Sequence, residues 1–329
     1  MLFDELKLLS VTLALCAVAL PAIAASADAE FPARPVRMLV PYPPGGGLDL
    51  PGRAVSERFA QQTGKQLVLD NRGGAGGLIA GEIVANANAD GYTLLLASNG
   101  QISIAPALYQ KLPYDPIRDL VPVTHFVDTP MFLFASSGFP AKTVKDVIER
   151  AKAQPGKIGV ALSGVGGVSH LTMELFRQRA GINLLGVPYK GAGAAMVDVA
   201  SGDVPLIFTT GASGKPLLDT NRIRPIAVAA AKRSSALPNV PTFEELGLSG
   251  MDAPLWIGMM APKGTPDKII AKLNAEFIKA LGSKEVQDRL ASQSAEIVAT
   301  GPKEFGQMIR RDTERWGKVV KTAGIKVEQ

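Results

Sequence analysis

One unit recurs along this chain: a short apolar run, a loop of glycines and small polar residues, then a segment with apolar residues at helical spacing. The loops read PPGGGLD at 43–49, NRGGAGG at 71–77, SNGQIS at 98–103, SGVGGVSH at 163–170, YKGAGA at 189–194 and TTGASG at 209–214. Apolar runs too short for helices, alternating with helical segments, define an α/β fold, because the connecting helices must cover the faces of the sheet they link. The pattern predicts strands at 36–40, 66–70, 93–97, 132–135, 158–161, 184–187, 206–208 and 226–229, with helices at 54–62, 78–86, 144–153, 169–180 and 192–201. From residue 266 onward it predicts helix alone, at 267–281, 284–292 and 302–323, the last two started by Ser283 and by Gly301-Pro302.

In an open parallel sheet the carboxyl ends of the strands share one edge, and ligands bind there against helix N-termini. Six loops of one kind at such an edge describe a polar, nearly neutral cleft that tolerates an anion. Asp49 and Ser169 stand where N-caps belong. One helix N-terminus favours an anion by about 0.3–1 kcal/mol at an exposed site, so useful affinity needs several converging on one group.

With 329 residues, 47% of them hydrophobic, the chain is long enough for two domains with separate cores. Its formal net charge of +5 is spread without a run of like charge, which suits an anionic small molecule better than a nucleic-acid backbone. Residues 8–20 are apolar apart from Ser10 and Thr12 and end at Pro21 before small-x-small sequences at 22–24, 25–27 and 27–29. That is the form of an export signal, here assigned to residues 1–27. Asp4 and Glu5 outweigh Lys7 where such signals are usually basic. Leu15 before Cys16 argues against lipid attachment, and the lack of stop-transfer charges argues against a retained anchor. Cys16 is the sole cysteine, so the mature chain has no thiol for disulfides, metal ligation or nucleophilic attack.

Motifs for bond-making chemistry fail on spacing. A dinucleotide fingerprint through Gly45-Gly46-Gly47 would need glycine where Leu50 stands. A phosphate loop at GASGKP has Pro216 after Lys215 and Thr209 at its first glycine position. Around Ser163, Ala161 and Val165 replace the glycines of a nucleophile elbow. The two histidines, His125 and His170, have no carboxylate at metal-ligand spacing, so neither a metal nor a cofactor is expected.

Read together, VPYPPGGGLD, NRGGAGG, ADGYTLLLAS, PALYQKLPYDPIRDLVPVT, SGVGGVSHL, VPYKGAG, AKRSSALPNVPTFEELG and APKGTPDKIIAKLNAEF resemble the Bug family, receptors of tripartite tricarboxylate transporters, over nearly the whole chain after the signal. The resemblance implies a periplasmic binding protein of two lobes, 30–129 with 253–329 and 130–252, that close on a small carboxylate and present it to membrane transporter subunits. It carries ligand contact to Tyr42, Gly45, Gly46, Gly47 and Asp49 in the first lobe and to Ser163, Gly166, Ser169 and His170 in the second. Gly167 of that same loop at 163–170, with Ser98, Thr209 and Thr210 from other loops at the strand ends, completes the candidate set. Leu48 stands where the family mostly has a small hydroxyl residue, Gly167-Val168 replaces a Thr/Ser-rich pair, and Thr209-Thr210 replaces what is commonly Asp-Asn. An amino acid would bring an ammonium group that needs an acid partner, so the neutral threonine pair points to a carboxylate without one, such as a di- or tricarboxylate or an aromatic acid. A monomer hinged near 128–130 and 252–254 is expected. Two other readings stay open: a sensor subunit for a membrane kinase, and a secreted hydrolase using Ser163 and His170.

Overall fold

The structure is a computed structural model describing residues 31–44 and 47–325. Residues 1–30 and 326–329 lie outside it, as do Gly45 and Gly46, so the export signal expected at 1–27 falls outside the described residues. In chain order its elements are β1 (Val36–Val40), α1 (Asp49–Thr63), β2 (Leu67–Asn71), α2 (Leu78–Ala85), β3 (Thr93–Ser98), α3 (Ala105–Leu108), β4 (Leu120–Thr129), β5 (Met131–Ser136) and α4 (Val144–Ala153). There follow β6 (Gly159–Leu162), α5 (Val168–Ala180), β7 (Leu185–Pro188), α6 (Ala192–Ser201), β8 (Leu206–Thr210), α7 (Gly211–Asp219) and β9 (Ile223–Ala229). The last are β10 (Leu255–Pro262), α8 (Asp267–Leu281), α9 (Lys284–Ser292), β11 (Glu296–Thr300) and α10 (Pro302–Ala323).

The strands form two sheets, ordered β11-β4-β10-β3-β1-β2 and β7-β6-β8-β5-β9. Neither is wholly parallel as expected. β10 runs antiparallel to β3 and β4, and β5 antiparallel to β8 and β9. The strands that lead into the glycine loops, β1, β2 and β3 in one sheet and β6, β7 and β8 in the other, are nevertheless mutually parallel, so those loops do share an edge within each sheet. Three strands were missed. β4 carries Pro122 and polar residues, β10 is an unbroken apolar run containing Gly258, and β11 interrupts the expected all-helical tail with Ala299 at φ +54.

Side chains alternate between the two faces of each sheet, as strand geometry requires. In the first sheet Val36, Met38 and Val40 pack with Phe59, Leu273 and Phe277 on one side, whereas Leu39, Leu95 and Trp256 pack with Val84, Phe305 and Ile309 on the other. In the second, Leu133, Phe208 and Ala227 pack with Leu175 and Phe176, whereas Phe132, Phe134 and Ile207 face Ala195 and Val199. The close approach of α10 to the first sheet depends on Gly258, where an added Cβ would stand 2.4 Å from Phe305 Cζ.

The chain crosses between the sheets at Pro130 and again through residues 230–254. A third connection is α10. Its first turns bury Phe305 and Ile309 against the first sheet, and its last turns bury Trp316, Val319 and Val320 in the core of the second. Each such side chain contributes about 1.5–3 kcal/mol when fully buried, so this helix is a strong tie across the boundary. Beside the second crossover, Trp256 Nε1 donates to Asp312 Oδ2 at 2.7 Å, the Arg315 guanidinium donates to the Asp252 carbonyl, and Asn99 Nδ2 donates to the Pro254 carbonyl at 3.0 Å.

Candidate functional site

At the edge of the first sheet the β1–α1 loop is fixed by residues from both neighbouring strands. Asn71, the last residue of β2, donates from Nδ2 to the Tyr42 carbonyl at 2.9 Å and to Asp49 Oδ1 at 3.0 Å. Asp49 is fully buried and accepts from Arg53 Nε at 2.7 Å. It is not the N-cap expected from sequence: Leu48 holds that position, and Asp49 opens the helix, where its carboxylate meets the positive end of the helix dipole. The Tyr42 hydroxyl donates to the Gly76 carbonyl at 3.3 Å, tying the first loop to the second. Burial pushes the Tyr42 phenol upward, with a hydrogen bond to Ser98 opposing it. Ser98 itself donates to Gln101 Oε1 at 2.8 Å inside a buried π-helical turn over Gly100–Ile104. Gly47 is exposed at the loop tip.

At the edge of the second sheet the glycines do a different job from the one expected. The Gly166 N–H donates to His170 Nδ1 at 3.0 Å, and the Gly167 N–H donates to the Gly164 carbonyl at 3.3 Å. Both amides are engaged within the loop. Helix geometry leaves the next three, on Val168, Ser169 and His170, without an acceptor inside α5. Ser169 is the second residue of that helix and not its cap. Its hydroxyl donates to the Phe208 carbonyl at 2.7 Å and so pins the start of α5 to β8. Thr209 is buried, whereas half-exposed Thr210 caps α7, accepting from Ser213 N at 3.3 Å. Ser163 is half-exposed just after β6.

His170 has its Nδ1 on Gly166 and its Nε2 3.8 Å from Glu174 Oε1, so neither nitrogen is directed at Ser163 as a hydrolytic pair requires. His125 lies on β4, across β10 from Ala97. It bonds through Nε2 to Asp128 Oδ1 at 2.9 Å and stacks on Phe305 at 5.2 Å, so, contrary to the sequence expectation, each histidine has a carboxylate within one helical turn's spacing, Asp128 for His125 and Glu174 for His170. Among the described residues no three His, Cys, Asp or Glu side chains are grouped to hold a metal, and no helix is long and apolar enough to cross a membrane.

Sequence reasoning overlooked Asn71. Its one available signal was an amide side chain at the end of a strand, where it can reach the loop leaving the neighbouring strand.

Two α/β bodies with anion-tolerant loops on parallel strand ends make the architecture of a two-lobed periplasmic binding protein, and solved relatives share it. A structure of the periplasmic binding protein BugD is 34% identical, with a TM-score of 0.76 over 90% of this chain and 100% of that one. An R. palustris protein solved with adipate is 34% identical, with a TM-score of 0.80 over 91% and 100%. MatC from Rhodopseudomonas palustris, solved with bound malate, is 32% identical, with a TM-score of 0.76 over 88% and 100%. In sequence, Protein BugT of Bordetella pertussis is 36% identical over 94% of this chain and 96% of its own. Residues 52–325 match the family described as tripartite tricarboxylate transporter family receptor, TctC, and the chain belongs to that family of solute-binding receptors.

Proposed function

We propose that this protein is an exported receptor that captures a small organic carboxylate between its two sheets and delivers it to a membrane transporter of the tripartite tricarboxylate type. The observation that carries the reading is the start of α5. There the loop's own amides are engaged, leaving the N–H groups of Val168, Ser169 and His170 for an anion at the positive end of a helix. Tyr42, Ser98 and the N-terminus of α1 supply the facing wall, and Ser163 and Thr210 supply hydroxyls for the distal end of the ligand. The lobes divide as 30–129 with 253–329 and 130–252, and the N-terminal apolar segment directs export. Bound adipate and malate in two relatives support a carboxylate ligand.

Thr209 is buried and Thr210 is a helix cap, so neither provides an acid for an ammonium group. Asp49 is already bonded to Arg53 and Asn71. The ligand is therefore an acid without a free amine. A thermal-shift screen of succinate, malate, citrate, adipate, terephthalate and protocatechuate beside aspartate, glutamate and glutamine tests this. An acid at about 100 times its dissociation constant should stabilise the fold by roughly 2.7 kcal/mol. The largest shift coming from an amino acid would refute the ligand class.

A further inference from the structure

The protein itself fixes the protonation of His170. Its Nδ1 accepts the Gly166 N–H at 3.0 Å, so that nitrogen carries no hydrogen, and in the neutral ring the proton lies on Nε2. Nε2 faces Glu174 Oε1 at 3.8 Å, and buried Glu174 in turn accepts from Arg177 Nη1 at 2.7 Å. A carboxylate beside one ring nitrogen favours the tautomer that leaves the other as an acceptor. Arg177, Glu174 and His170 thus form a chain along one face of α5 that ends on the backbone of the β6–α5 loop. It meets that loop at Gly166, whose φ of +77° suits glycine and few other residues.

We propose that His170 is a positioning residue: a neutral acceptor that, by holding the Gly166 N–H, sets the second-lobe loop in the shape that exposes the first-turn amides of α5 to a carboxylate. The inference rests on the receptor reading above and adds to it the group that prepares the anion site. His170 then serves the ligand through the loop and not by ring contact.

Protonation would place a second donor opposite the Gly166 N–H, and two facing donors cannot share a hydrogen bond, so the loop must give way. The charged groups that bear on the ring are Glu174 and Arg177. The packed strands β6 and β8 bring only apolar and hydroxyl side chains, reading GVAL and LIFTT. From α10, the side chains of Arg311, Glu314, Arg315 and Lys318 line a groove with Leu175, Gln178 and Arg179, on another face of α5. Burial is the main influence and lowers the His170 pKa, Glu174 opposes it, and Arg177 adds to the lowering. A base lowered in the folded state contributes stability that is complete above its ordinary value of about 6.5 and is lost as pH falls below it.

Nitrogen-15 spectra of the two histidine rings and amide exchange at Gly166, both on the ligand-free protein, test the inference, with adipate and malate affinity measured alongside at pH 7.5 and pH 5. The variants are His170→Asn, whose amide oxygen can stand where Nδ1 stood, and His170→Gln, whose oxygen reaches the Nε2 position. The expected result is an Nε2–H ring in the wild type and slow exchange at Gly166 in the wild type and His170→Asn. Exchange, corrected for intrinsic rates, should be about tenfold faster in His170→Gln, as loss of one hydrogen bond implies. Acidification should weaken carboxylate binding more in the wild type than in His170→Asn, the part common to both reflecting protonation of the acids themselves. An Nδ1–H ring, or equal Gly166 exchange in all three proteins, overturns the inference. Failure of both acids to bind would count against the proposed ligand class instead, because the ring and amide measurements need no ligand.

Discussion

Replacing Asp49 with alanine should loosen the first-lobe loop by an amount that follows from the contacts of its carboxylate. That group is fully buried and holds Asn71 Nδ2 at 3.0 Å and Arg53 Nε at 2.7 Å. A hydrogen bond to a charged group stabilises by about 1.5–3 kcal/mol. The Arg53 side chain is 47% exposed and regains water when released, so its share is small, on the order of a surface ion pair. Asn71 keeps its bond to the Tyr42 carbonyl. The net expectation is a loss of about 2 kcal/mol for Asp49→Ala, against a smaller loss for Arg53→Ala, after which Asn71 still partners the buried carboxylate. In melting temperature the first corresponds to roughly 4–8 °C for domains of 150–250 residues. Urea unfolding of Asp49→Ala, Asn71→Ala and the double variant closes the cycle, and directly bonded partners should couple by about 1 kcal/mol. Additivity of the two losses, or an Arg53→Ala loss equal to that of Asp49→Ala, would refute the reasoning.

Two further outcomes follow from packing and charge. Gly258→Ala should destabilise by about 1–3 kcal/mol in chemical unfolding, because the new Cβ meets Phe305 Cζ at 2.4 Å and the Thr124 carbonyl oxygen at 2.8 Å; a neutral result would mean that α10 can retreat from the sheet. At the second crossover Asp252 is exposed as a residue, yet the protein around its carboxyl raises it through partial desolvation, Arg315 lowers it, and Asp128 and Asp312 add to the rise, so the effect is modest. The folded state therefore disfavours its charge above the raised value, and that penalty fades as pH falls through it toward the unfolded value. Asp252→Asn should be more stable than the wild type at pH 7.5, with the advantage disappearing near pH 4, and a constant difference across that range would contradict the assignment.

The alternation of apolar runs and helical segments made most of the fold legible, because local period alone decides it. Val36–Val40, Val144–Ala153 and Pro302–Ala323 were bounded correctly from sequence. β4, β10 and α7 were hidden by Pro122, Gly258 and Pro216, residues that usually break such elements and are tolerated here by the surrounding packing. The glycine loops of the site were legible in the same way. Which of their amides remain free was not, because that depends on side chains arriving from elsewhere: His170 takes the Gly166 N–H, and Asn71 reaches from another strand to the Tyr42 carbonyl. The cap roles expected of Asp49 and Ser169 failed for a related reason. Each side chain has a tertiary partner, Arg53 with Asn71 in one case and the Phe208 carbonyl in the other.

Capture between lobes implies that the two sheets approach each other when the acid binds, with Pro130 and the 230–254 crossover as hinges and α10 flexing across them. Small-angle X-ray scattering, as the most stabilising acid of the thermal screen is titrated in, measures that movement directly. The radius of gyration should fall saturably with the same midpoint as binding. A radius unchanged at saturation would contradict capture between lobes.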